Sequence, residues 1–118
     1  METLAIKINS IHCYAYEESN GDEVFLKLNG KKIWPEAEKY HQMKDQSAEV
    51  NVMVLNLKTN EFIEVEVWDY DFWSPNDLMG KIRMLIDKPG GPYTTDMQLA
   101  EANQMARYSI VWEILKPA

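Results

Sequence analysis

The stretch Glu64-Val65-Glu66-Val67-Trp68-Asp69-Tyr70-Asp71-Phe72-Trp73-Ser74-Pro75-Asn76-Asp77-Leu78-Met79-Gly80 decides how the rest of the chain reads. Its first part sets Ile63, Val65 and Val67 against Glu64, Glu66 and Trp68, the period of a half-buried strand. A second strand candidate runs from Leu78 to Leu85, and the segment between carries Asp69, Asp71 and Asp77. A strand ending at Asp69 points Asp69 and Asp71 to one side, because side chains two apart share a face. Ser74, Pro75 and Asn76 then reverse the chain and can bring Asp77 back to the same point. Carboxylates gathered at one spot repel each other unless a cation neutralises them. Calcium suits such a cluster, taking about six to eight oxygens from carboxylates, carbonyls and water. The competing reading is that these aspartates cap turns, since Asp readily accepts backbone N–H bonds.

Working outward, Glu17, Glu18 and Asp22 flank an Asn20-Gly21 turn. Loops of different hairpins meet at one end of a sandwich, so Glu18 and Asp22 are expected to join Asp69, Asp71 and Asp77. Alternation recurs at Val24, Leu26 and Leu28, at Val50, Val52 and Val54, and at Tyr108, Ile110, Trp112 and Ile114. Residues 4–15 add a further strand candidate. Short runs separated by turns predict an all-β sandwich or barrel. Asn29-Gly30 tolerates positive φ at both positions and predicts a tight hairpin; Lys58-Thr59-Asn60 predicts another turn. Pro89-Gly90-Gly91-Pro92 reads as a loop. Residues 36–47 read as a short helix or an excursion between strands.

The chain has 118 residues, 46% hydrophobic and 26% charged, which suits a single domain over residues 1–118. With 19 acidic and 12 basic residues the net charge is −7, which disfavours nucleic acid as a partner. The one cysteine, Cys13, excludes an intramolecular disulfide. No signal peptide and no apolar run of membrane-spanning length is visible, so a cytoplasmic location is expected, with peripheral membrane contact as the option. No nucleophile–base pairing and no phosphate-cradling glycine loop stands out, so the chain does not read as an enzyme. His12 and Cys13 point to opposite faces of a strand and cannot share an ion. Lys27, Lys31 and Lys32 read as a solubilising strand edge. Trp34, Trp68 and Trp112 read as core or cross-strand packing.

Residues 64–71 followed by Asn76-Asp77-Leu78-Met79-Gly80 resemble the third-loop signature of C2 domains: a hydrophobic strand ending in Asp-x-Asp, then Asn-Asp, a hydrophobic pair and Gly. Residues 18–28 resemble the first loop and second strand of that family, and Tyr108–Ile114 its final strand. The first loop is shorter than in typical binders and opens with Glu18 in place of aspartate. The resemblance implies an eight-stranded antiparallel β-sandwich with calcium held at one end by Asp69, Asp71, Asp77, Asp22 and Glu18. It places Phe72 and Trp73 at the loop tip, where exposed aromatics suit contact with a membrane or a protein partner. The expected function is a calcium-binding module that docks onto an anionic phospholipid surface or a protein partner. The alternative is a calcium-independent structural or adaptor subunit with the same fold.

Overall fold

A computed structural model of the chain describes residues 3–117. In chain order the strands are β1 (Thr3–Ala15), β2 (Asp22–Leu28), β3 (Lys31–Trp34), β4 (His41–Met43), β5 (Ser47–Lys58), β6 (Glu61–Asp69), β7 (Asp77–Ile86), β8 (Gly90–Asp96), β9 (Gln98–Leu99) and β10 (Arg107–Leu115). Eight have four residues or more, which is the expected count; β4 and β9 are short additions. One sheet has the order β5-β1-β10-β8, and the other β3-β2-β6-β7-β9 with β4 joined to β2. The pairs are antiparallel, and the two sheets form a sandwich.

The alternating positions meet between the layers. Ile6, Ile8, Ile11, Ile110 and Ile114 from one sheet are buried with Val24, Leu26, Val65, Val67, Ile82 and Met84 from the other. Each such side chain contributes about 1.5–3 kcal/mol relative to exposure, so this interlayer seam is the main stabilising term. Trp34 and Trp112 join the core, whereas Trp68 lies on the outer face, stacked on its cross-strand partner Phe25 with the Lys27 ammonium 4.8 Å from its ring. The Asn29-Gly30 turn has φ of 52° and 79°, the left-handed pair that a two-residue hairpin requires.

Three details differ from the sequence reading or settle its options. Residues 36–47 form an excursion without a helix, in which His41–Met43 pair with Asp22–Val24. The segment expected to be a loop at 89–92 enters strand β8 at Gly90, and Tyr93 pairs with Trp112. The reason lies at Gly91: its φ is 113°, and a Cβ there would stand 3.1 Å from Glu113 Cα. A glycine pair that looks like a turn is what lets β8 lie against β10. Lys31 and Lys32 do sit on an edge strand, but Lys27 is on β2, flanked by β3 and β6, and guards no edge.

Candidate functional site

The β1–β2 loop, the β6–β7 loop and the segment before β10 meet at one end of the sandwich. Backbone register brings the first acids together: on β6, Asp69 is paired with Val24 of β2 on one side and with Asp77 of β7 on the other. Gly80 allows β7 to bend close to β9, because a Cβ there would collide with the Gln98 carbonyl. Between these loops lies a groove of about 740 Å³, lined by Glu17, Glu18, Asp69, Asp77 and Glu101 among others, with no basic residue in its lining.

Asp22 is fully buried and works as an internal cap. Its carboxylate accepts the N–H groups of Glu17 and Glu18 at 2.9 and 3.2 Å and the Tyr108 hydroxyl at 2.6 Å. These bonds close the β1–β2 loop and tie it to β10. Burial, then the bond to Asp22, pushes the Tyr108 hydroxyl far above its ordinary pKa, so it stays a donor. Burial likewise raises the Cys13 thiol.

Asp69 is 5% exposed and accepts the Glu23 N–H at 2.9 Å. Burial pushes its carboxyl up to about 8; the Glu23 N–H pulls the other way, and a hydrogen bond and charge from Glu18 add to the rise. Burial and the neighbouring Glu18 thus favour the protonated form of Asp69.

Asp71 is different. It lies outside the lining of the groove, half-buried, and folds its own loop. One oxygen accepts the Trp73 N–H at 2.9 Å and the Ser74 N–H at 3.2 Å, and the other accepts the Ser74 hydroxyl at 2.6 Å. The Ser74 hydroxyl first, then the Trp73 N–H, hold its carboxyl below the usual carboxylate value. Asn76 closes the loop by accepting the Asp71 N–H at 2.8 Å. At the tip Trp73 is 90% exposed and meets Phe72 edge to face at 4.9 Å.

The fold thus brings Glu18, Asp69 and Asp77 to one groove, buries Asp22 behind it and leaves Asp71 to one side. Both oxygens of Asp22 and both of Asp71 accept protein hydrogen bonds, and burial raises the Asp69 carboxyl. Among the described residues no three His, Cys, Asp or Glu side chains are placed to hold a metal ion. Calcium needs several ionised or carbonyl oxygens around one point, and these side chains do not stand around one point as folded. The sequence reading missed Glu101, Asn103 and Gln104, which close the groove from the segment before β10. Their polar run, without alternation, marked a loop but not its place.

The whole chain can be matched to solved structures. It superposes on a C2 domain, the one lettered A, of a plant extended synaptotagmin 1 with a TM-score of 0.61 and 17% identity, over 99% of this chain and 95% of that one. A second structure, described as a C2 domain, gives a TM-score of 0.59 and 14% identity, over 98% of this chain and 99% of that one. No protein-family model matches the sequence, and no curated protein sequence does. The likeness is one of fold: this chain is built as a C2-like domain.

Proposed function

We propose that the chain is a non-catalytic binding module of the adaptor type. It docks a protein partner in the cytoplasm through the loop end of its sandwich, with Phe72 and Trp73 as the contact residues and without calcium. The observation that carries this reading is Trp73, 90% exposed on a loop that Asp71 and Asn76 hold in shape by themselves. A rigid, amphipathic aromatic gives contact area at low entropic cost, because its loop is ordered before the partner arrives. The C2-like fold supports a binding role, and the charge of this end favours a protein over an anionic bilayer. Glu17, Glu18, Asp77 and Glu101 cluster there on a chain of net charge −7 and would repel lipid phosphate.

The competing reading is calcium-dependent docking on an anionic membrane, favoured by the meeting of Glu18, Asp69 and Asp77 on one groove. Sedimentation with phosphatidylserine vesicles, in chelator and in millimolar calcium, separates the two. The expected result is that the chain stays in solution in both, while a photocrosslinker placed at position 73 captures a discrete cytoplasmic protein. Calcium-dependent sedimentation with the vesicles would overturn the proposal and restore the metal reading for Asp69, Asp77, Glu18, Asp22 and Asp71.

A further inference from the structure

The two sheets leave one flank of the sandwich partly uncovered. Strand β8 is the outer strand of its sheet. In the other sheet, among the described residues, β9 pairs with β7 only at Gly80 and Lys81, so the rest of β7 borders this flank directly. Tyr93 shows the consequence. It lies opposite Trp112 in register and shares its core-facing side, yet it is 40% exposed. Phe62 and Leu85, opposite each other on β6 and β7, are exposed as well. These side chains line a cleft of about 350 Å³, together with the buried Trp112 and Ile114. Leu85 stands eight residues along β7 from Asp77, roughly 26 Å, so the cleft is remote from the acidic groove.

The polar groups in this apolar wall are few. The Arg83 guanidinium lies 3.9 Å from the centre of the Phe62 ring, held there by its attraction to the ring face. The Thr95 hydroxyl accepts the Trp112 Nε1–H at 2.9 Å, and its own O–H can still donate. Asp87 also lines the cleft, four residues past Arg83 and so roughly 13 Å further along the chain. Glu64 is the cross-strand partner of Arg83 but does not line the cleft. A guanidinium has donors enough to serve both Glu64 and a ligand.

From this arrangement we infer that the flank cleft binds a flat aromatic carboxylate. Its ring packs against Tyr93 and Leu85, and its carboxylate accepts from Arg83 and Thr95. The planar fork of arginine matches a carboxylate, and Asp87 repels an anion from the other end, so the ligand enters one way round. The volume is at the lower end of the range for ligand pockets, about 300–1,000 Å³. It gives room for one or two rings. This site is separate from the docking proposed for the loop end, and neither depends on the other.

Titration of the full chain with naphthoate and with its uncharged counterpart naphthalenemethanol, followed by amide and indole NMR, tests the assignment. Naphthoate should saturate with a Kd on the order of 0.1–1 mM, as suits a ligand of so few atoms, and shift Arg83, Thr95 and the Trp112 indole. Naphthalenemethanol should bind about tenfold more weakly, because it lacks the charge-assisted bonds. Arg83→Gln, on an exposed side chain, should remove that preference while leaving naphthalenemethanol unchanged, which also reports an intact cleft. Tyr93→Ala should weaken both compounds. Equal binding of the two by the unaltered chain would overturn the inference. So would naphthoate shifts that never saturate or that lie away from the cleft, or a preference that survives Arg83→Gln.

Discussion

Asp22 and Asp71 belong to two neighbouring loops of the same end of the sandwich, yet they do opposite kinds of work. Asp22 sits behind the β1–β2 loop with no exposure and holds two loop N–H groups and the Tyr108 hydroxyl. Asp71 is half-buried and holds only its own loop, through Trp73 and Ser74. Asp69, at the end of β6, is buried, and that burial raises its carboxyl to about 8. The same side chain is thus an internal staple, an acid biased towards its neutral form or a loop cap, depending on its burial and its partners. One half of this end is built for stability and the other is free to make contacts.

The sharpest way to break that contrast is Asp22→Ala. It orphans two backbone donors and a buried hydroxyl at once, and each such group costs about 1–3 kcal/mol when left unpaired. A loss on the order of 3 kcal/mol is expected in urea unfolding, with the β1–β2 loop the first to exchange its amide hydrogens. A value under about 0.5 kcal/mol, the range of an ordinary surface change, would show that Asp22 is not a staple.

Asp69 gives the next largest effect, and with the opposite sign. Its folded-state pKa, about 8, lies above the ordinary 3.8, so the folded form binds the proton more tightly than the unfolded form does. Its contribution is fully present below about pH 4 and is lost as pH rises towards 8. Asp69→Asn keeps an oxygen for the Glu23 N–H and cannot ionise. At pH 8 it should stabilise the chain by on the order of 1–3 kcal/mol and flatten the fall in melting temperature between pH 5 and pH 8. An unchanged pH profile would mean that Asp69 is ionised throughout.

How far these differences could be read from the sequence follows from what alternation encodes. The paired strands around Val24, Val65 and Ile110 were legible because one face is buried and the other wet, which leaves a period of two. Strand β8 was not, because Gly91 serves a close approach to β10, a long-range demand that looks locally like a turn. In the site, the spacing of Asp69, Asp71 and Asp77 showed that acids would crowd one end. Spacing carries no information on depth. That Asp22 is fully buried and Asp71 only partly so depends on Tyr108, 86 residues from Asp22, and on the short hydrogen-bonded turn at Ser74.

The exposed half supplies the smaller effects. Asp71→Ala removes three bonds from a solvent-exposed loop and should barely move the melting temperature, but it should loosen Trp73, read as a drop in its fluorescence anisotropy relative to Asp71→Asn, which keeps one acceptor oxygen. Unchanged anisotropy would separate Trp73 from the cap. The combined change Phe72→Ala and Trp73→Ala should do least of all to the fold. The two rings pack on each other rather than on the core, and substitutions at such positions usually stay within about 0.5 kcal/mol. Partner capture should nevertheless fall, because the exposed apolar area lost is the area a partner would cover. A clear fall in melting temperature from this double change would place the rings in the folding core, and the contact role of this loop would fail with it.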